Sequence, residues 1–206
     1  MNRRIVTACL GLLLAGIPRA SEAHLVATRL GNFYDGAVHP LTGFEYALPW
    51  LALAILAALQ GTRSGRWLFL IFPLGLLAGG ALSMLVPATG LGPLLNLLSI
   101  AGLGLLVALA VVLPVPAFMT VAAAVAIVQG YENGRAMTAD TNHMLFIGGV
   151  AAAGYAFVAL VTGLMIAFLD GRGAWRPIAL RAAGSWIAAV GVMVLSLTLT
   201  QFANAR

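Results

Sequence analysis

The sequence predicts an all-α membrane protein, a polytopic bundle of six transmembrane helices that follows a cleaved signal peptide. Hydrophobic residues make up 62% of the 206 residues and charged residues only 8%, and the mean hydropathy is +1.02. This composition leaves too little polar surface for a water-soluble fold. The apolar stretches have about the 20-residue length that a helix needs to cross a bilayer, and short segments with Gly or Pro separate them.

The charged residues exclude several classes of function. All eleven basic residues are Arg, and they occur singly or in pairs. A net charge of +5 without a basic patch does not fit a nucleic-acid-binding protein, so no nucleic-acid partner is expected. The sequence has no Gly-x-Ser-x-Gly elbow, phosphate-binding glycine loop or His-Glu-x-x-His zinc helix, and we therefore predict that the protein is not an enzyme.

Residues 1–23 have the pattern of a secretory signal peptide. A basic start and an apolar stretch at 5–17 precede Ser21-Glu22-Ala23, which places small residues at the minus-three and minus-one positions of a cleavage site. The apolar stretch is short for a membrane span, so cleavage after Ala23 is expected. An uncleaved signal anchor is the alternative.

The mature chain, 24–206, is then one six-helix domain without thiols, because cleavage removes Cys9, the only cysteine. A metal site must therefore use imidazole, carboxylate, amide or backbone ligands. Cleavage would also leave the α-amino group and the imidazole on one residue, His24. Such a residue can chelate a transition metal, and His24 is accordingly a candidate ligand.

Hydropathy and the Gly and Pro positions predict six spans: 44–60, 67–86, 92–113, 115–130, 143–169 and 178–200. If signal cleavage leaves the mature N-terminus outside, the loops 61–66 and 170–177, with four Arg, fall inside, while Arg29, Arg135 and the terminal Arg206 fall outside. This modest excess inside agrees with the positive-inside rule. We therefore predict a multi-pass protein of a bacterial inner membrane with both termini external.

Acidic and imidazole side chains gather at the outer ends of these spans. Asp35, His39 and Glu45 lie within eleven residues just before and at the start of the first span. Pro40 and Gly43 disfavour a continuous helix there, so we expect a re-entrant turn that brings the three side chains together. Nitrogen and oxygen ligands of this kind suit divalent nickel, cobalt, zinc or copper. In the alternative interpretation, His39 only pins a loop and Glu45 only favours the N-terminal end of a helix.

Gln129 and Glu132, at the outer end of the fourth span, are the next candidates. An amide at the membrane end of a span bonds a neighbouring helix or lines a polar cavity. Because polar groups near the bilayer need partners, we expect the outer ends of the first and fourth spans to be neighbours. His143 follows a helix cap at Asn142 or Thr141 and is a weaker candidate, since a lone histidine at the interface is usually a surface residue.

The motif HPLTGFEY at residues 39–46 resembles the first-helix motif of the HupE/UreJ family of hydrogenase and urease accessory membrane proteins. The family pattern is His-Pro-x-x-Gly-x-Asp-His followed by an apolar helix. This sequence keeps His39, Pro40 and Gly43. It has Glu45 in place of the Asp and Tyr46 in place of the second His.

A second family element, His-Gly-x-x-His-Gly, is similar to QGYENG at residues 129–134, where both histidines are replaced. The resemblance covers most of the mature chain and implies a nickel or cobalt permease. With three imidazoles replaced, the remaining donors are mainly carboxylate and amide oxygens. Such donors favour a harder or more weakly held cation.

Two functions are therefore predicted. The first is a transporter for a divalent transition metal of the nickel or cobalt type, or a protein that binds the metal where it enters the membrane. Zinc and copper are the alternative metals. The alternative is a non-transporting membrane subunit or assembly factor of a membrane enzyme complex. In either case the partners are the lipid bilayer and another membrane protein or a second copy of this chain.

The predicted orientation can be tested with reporter fusions. A reporter placed after Gly65 should behave as cytoplasmic, and one placed after Ala139 as external, because the Arg-containing loops remain inside. The reverse pattern would contradict the orientation.

Overall fold

The structure, a computed structural model, describes residues 31–86, 91–171 and 173–204. All regular elements in these ranges are helices: α1 Gly31–Thr42, α2 Phe44–Gln60, α3 Thr62–Leu85, α4 Leu91–Ala108, α5 Val115–Gly134, α6 His143–Leu169 and α7 Trp175–Asn204. The predicted signal peptide and His24 lie outside the described residues.

The predicted class, an all-α membrane bundle, is confirmed. Helices α3 to α7 are each long and apolar enough to cross a membrane. Helices α1 and α2 meet at a 78° bend and give a sixth candidate span when they are taken together. Each predicted span corresponds to one of α2 to α7, and the main differences lie at the start of α3 and at the ends of α4 and α5. The predicted loop 61–66 is wrong beyond Gly61, because α3 already begins at Thr62.

The helix at the third predicted span is shorter than the prediction, 92–113. Helix α4 ends at Ala108, and the apolar residues that follow are irregular, with a φ of 50° at Ala110. The Gln60 side chain holds this segment. Its Nε2 donates to the Val111 carbonyl at 2.6 Å, and its Oε1 accepts from the Leu113 amide at 2.9 Å. A single glutamine thus supplies hydrogen bonds that the helix no longer provides, which matters because unpaired backbone groups are costly in an apolar environment.

The fourth predicted span, by contrast, continues beyond 130 to Gly134. Two glycines on α5 allow this extension to pack closely on α3. A Cβ at Gly130 would overlap the Leu76 carbonyl oxygen, and one at Gly134 would overlap the Ser83 hydroxyl. Small residues let helix backbones approach each other in membranes. The resulting α3–α5 contact is the most extensive in the bundle.

The expected turn before the first span is located differently from the prediction. Helix α1 continues through Pro40, and the chain breaks only at Gly43, which has an extended backbone with φ −110°. The Thr42 hydroxyl donates to the His39 carbonyl at 2.8 Å, so one carbonyl in the last turn is satisfied by a side chain. Closely packed glycines on both helices, Gly36 and Gly149, hold α1 against α6.

Helix α2 occupies the centre of the bundle. From Ala52 to Ala57 its side chains are at most 2% exposed, and it packs on all five of the helices that follow it. Nearer its start, Trp50 contacts Phe72 and Phe157 edge to face, with ring centroids 5.6 and 5.8 Å apart. The centre is therefore filled by apolar side chains.

The two ends of the bundle differ in charge. At Gly61, a φ of 89° lets α2 turn directly into α3, a conformation that glycine adopts without strain. The basic end, as we call the end at this turn, carries Arg63, Arg66, Arg176 and Arg181 and one acid, Asp170, among the described residues. The opposite, acidic end carries Glu45, Glu132 and Asp140 and one arginine, Arg135. The positive-inside rule places the end with more arginines in the cytoplasm, which is the orientation that the sequence predicts.

Close packing between α4 and α7 gives a test of the fold. A Cβ at Gly104 would overlap the Ala188 backbone of α7, whereas a Cβ at Gly102, on the same helix, meets nothing within 4 Å. We expect Gly104→Ala to destabilise the protein by about 1–3 kcal/mol through overpacking. Gly102→Ala should be neutral or slightly stabilising, because Ala is the better helix former. Unfolding in detergent measures both, and equal stabilities would contradict this packing.

Candidate functional site

A cavity of about 350 Å³ opens at the acidic end, among α2, α4, α5 and α7. Its lining combines acidic, amide, aromatic and apolar residues: Phe44, Glu45, Tyr46, Pro93, Asn96, Leu97, Glu132 and Val194. The cavity therefore brings together carboxylates from two of the predicted spans. As the sequence predicted, the outer ends of the first and fourth spans are neighbours.

Glu45 reaches this cavity because the chain bends just before it. It lies in the first turn of α2, where a negative charge is favourable near the helix N-terminus. At the bend, a Cβ on Gly43 would lie 2.9 Å from both Glu45 Oε1 and Tyr46 Cδ2. Glycine at position 43 thus leaves room for the two side chains that follow it.

His39, in the last turn of α1, lies beside these residues. Its ring centroid is 5.2 Å from that of Tyr46 and 5.8 Å from that of Phe146 on α6. The Glu45 carboxylate acts on it electrostatically. Within the described part of the chain, His39 Nε2 is buried and has no hydrogen-bond partner. A neutral imidazole nitrogen without a hydrogen-bond partner can coordinate a metal ion.

Glu132 contributes the second carboxylate, from the last turn of α5. Its side chain is only 9% exposed, and its Oε1 packs so closely on Gly92 of α4 that a side chain at position 92 would overlap it. The Arg135 guanidinium lies 3.4 Å from the same oxygen, the only ion pair among the described residues. Tyr46 lies within electrostatic reach of Glu45, Glu132 and Arg135, so the four groups form one charged neighbourhood.

Fully buried amides complete the polar end of the bundle. Gln129 Nε2 donates to Asn96 Oδ1 at 2.5 Å and thereby links α5 to α4. Asn133 Nδ2 donates to the Gln129 carbonyl at 2.8 Å. The oxygens Gln129 Oε1 and Asn133 Oδ1 are buried and, within the described residues, have no partner. A buried amide oxygen without a partner is costly, and a cation or a water would satisfy it.

The predicted site residues are thus only partly brought together. Glu45 and Glu132 share the cavity, and His39 lies beside Glu45. Asp35 is exposed one turn before His39 and does not line the cavity. Among the residues that the structure describes, no three His, Cys, Asp or Glu side chains are arranged to hold a metal ion together. The donors at hand are two carboxylates, one imidazole and amide oxygens, a set suited to a weakly held cation.

Sequence reasoning missed two members of this neighbourhood. Asn96 is the one amide in α4, whose only other polar side chain is Ser99, and a polar residue inside a span is itself a signal of function or helix contact. Arg135 falls in the loop that is predicted after the fourth span and is placed outside by the alternation of the spans. Its place one turn after Glu132 becomes meaningful only because α5 extends to Gly134.

His143 occupies a different position. It opens α6 after Asn142, whose Oδ1 accepts from the Leu145 amide at 3.2 Å, so the predicted helix cap is confirmed. The His143 side chain lines another cavity at the acidic end, together with Ser83 and Arg135. It is therefore not among the residues around Glu45.

Comparison with known proteins assigns the family. The sequence model of the HupE/UreJ protein family matches residues 12–194. Protein HupE of Rhizobium leguminosarum bv. viciae is 27% identical over 184 residues, which cover 89% of this chain and 94% of that protein. No solved structure matches the chain. The family match and the helical bundle with its polar acidic end show that the chain is a membrane protein of the HupE/UreJ family.

Proposed function

We propose that the protein takes up a divalent transition metal of the nickel or cobalt type at its acidic end, as a transporter or as the site where the metal enters the membrane. The observation that carries the proposal is the cavity that Glu45 and Glu132 share. Two carboxylates at the mouth of an apolar bundle attract cations, and ionisable groups at such places in membrane proteins mark ion pathways.

His39 supports a transition metal rather than a harder cation. Its unpartnered nitrogen lies next to Glu45, and imidazole is the ligand here that best binds late first-row metals. Asn96 lines the same cavity, and its amide oxygen accepts from Gln129, whose own Oε1 has no partner among the described residues. A transported metal must be released again. A site with a single imidazole holds the metal weakly enough for release, so it fits uptake better than permanent binding.

The alternative is a membrane subunit or assembly factor that transports nothing. Two observations favour it. The described residues hold no ready-made group of three His, Cys, Asp or Glu ligands, and Tyr46 stands where the family motif has a histidine. The bundle would then serve a membrane enzyme complex of the hydrogenase or urease accessory type through protein contacts.

Metal-dependent stability separates these functions. A metal that binds only the folded protein raises its stability, by about 2.7 kcal/mol at a hundred times Kd. We expect nickel to stabilise the untagged wild-type protein and His39→Ala to abolish the effect, because His39 is the only imidazole beside Glu45 among the residues that the structure describes. Glu45→Gln and Glu132→Gln should weaken it. Thermal unfolding in detergent with and without nickel is the measurement.

His143→Ala is the matched control and should respond to nickel as the wild type does, since His143 does not line the Glu45 cavity. If nickel, cobalt, zinc and copper all leave the wild-type protein unchanged, the metal proposal fails and the assembly-factor function replaces it.

Arg135 should limit the affinity for the cation, because its guanidinium competes for Glu132. Removing it with Arg135→Gln frees the carboxylate and removes a repelling charge. The pair is long, at 3.4 Å, and the Arg135 side chain is 33% exposed. A surface pair of this kind contributes about 0.2–1 kcal/mol, so nickel affinity should rise up to roughly fivefold. Arg181→Gln, at the basic end, is the control for loss of one positive charge. Unchanged or weaker nickel binding in Arg135→Gln, measured by titration calorimetry, would contradict this role.

A further inference from the structure

At the basic end, one stripe of α3 carries side chains of graded polarity. Arg63, Arg66, Trp67 and Leu70 recur at helical spacing and line an open cavity of about 330 Å³. All four are exposed, and the stripe continues toward the middle of the bundle with the exposed Leu74 and Leu77. From the basic end inward it therefore changes from two guanidinium groups to an indole and then to aliphatic side chains.

The two arginines of this stripe differ from the other described arginines. Arg135 pairs with Glu132, while Arg176 and Arg181 donate to the carbonyls of Phe168 and Ala108. Arg63 and Arg66 make no hydrogen bond or ion pair to any residue that the structure describes. Two neighbouring positive charges on the same helix face, three residues apart, repel each other unless an anion lies between them.

The stripe cannot turn inward to find such an anion, because the opposite face of α3 is already packed. Ser64, Gly65 and Leu68 are buried, and a Cβ on Gly65 would be only 3.5 Å from the Thr162 methyl of α6. Arg63 and Arg66 thus lie at the periphery of the bundle, in the first turns of α3, which is long and apolar enough to cross the membrane. No carboxylate among the described residues, including Asp170 at the same end, pairs with either arginine, so an anion from outside the protein would complete the site.

We propose that this stripe binds an anionic phospholipid from the membrane leaflet at the basic end. Arg63 and Arg66 hold its phosphate, since guanidinium groups bind phosphate through paired hydrogen bonds. Trp67 lies at the level of the glycerol, where indole rings favour the membrane interface. One acyl chain lies along Leu70 and Leu74. Free phosphate would match the arginines but would leave the apolar part of the stripe without an occupant.

The test uses the full chain reconstituted in phosphatidylcholine nanodiscs. Replacing part of the lipid by phosphatidylglycerol should raise the thermal stability of the wild type, and native mass spectrometry should show phosphatidylglycerol retained on the released protein. Each basic residue near a membrane surface contributes about 1 kcal/mol to the binding of anionic lipid. Phosphatidylglycerol should therefore bind roughly fivefold more weakly to Arg63→Gln or Arg66→Gln, and about 30-fold more weakly to the double variant.

Arg181→Gln removes one charge from the same end and is the matched control. Because Arg181 donates to the Ala108 carbonyl and does not line the stripe, its loss should weaken phosphatidylglycerol binding less than the loss of Arg63 or Arg66. Arg63→Lys/Arg66→Lys should bind more strongly than the double Gln variant, since it keeps both charges. Should a Gln variant fail to fold, Trp67→Ala replaces it, and loss of retained lipid there supports the site. Equal loss in Arg181→Gln, no response of the wild type to phosphatidylglycerol, or the same stabilisation by inorganic phosphate alone would overturn the proposal.

Discussion

Between Ala52 and Ala57, helix α2 has no face toward lipid, so its neighbours supply every contact that it makes. Five helices can surround one only if their backbones come close to each other, and the glycines of α3, α4, α5 and α7 meet that requirement. Because the centre is filled with small and aliphatic side chains, polar groups are displaced toward the ends. The cavity at the acidic end and the arginines at the basic end both follow from this enclosure.

The same filling constrains how an ion would cross. Inward of the cavity, Trp50, Phe72 and Phe157 pack edge to face and close the centre of the bundle. The Trp50 Nε1 is buried there and, within the described residues, has no hydrogen-bond partner. A transporter with this structure must therefore move helices to pass a cation. Glu45 and His39 lie on opposite sides of the bend at Gly43, so a movement of α1 relative to α2 would separate them.

The sequence was sufficient for the helices but only partly for the site. Hydropathy located α2 to α7, because each must hide its own backbone in an apolar environment. It could not locate the end of α4, because the segment after Ala108 is apolar yet irregular, and a distant glutamine supplies its hydrogen bonds. Likewise, the motif residues identified Glu45 and Glu132, whereas Asn96 and Arg135 became relevant only once α4 and α5 were placed together. Which side chains of two helices face each other is not visible in the hydrophobic periodicity of either helix, so these contacts could not be predicted from the sequence.

The central position of α2 also bears on how the protein is made. Translation delivers α2 before any of the five helices that will enclose it, so α2 enters the bilayer before they do. Its middle contains only Ala, Leu and Ile from Leu51 to Leu59, a composition that favours insertion. Among the described helices, α7 leaves the ribosome after the others, and it packs mainly on α4. From α2 to α7, synthesis therefore begins at the centre of the bundle and ends at its edge.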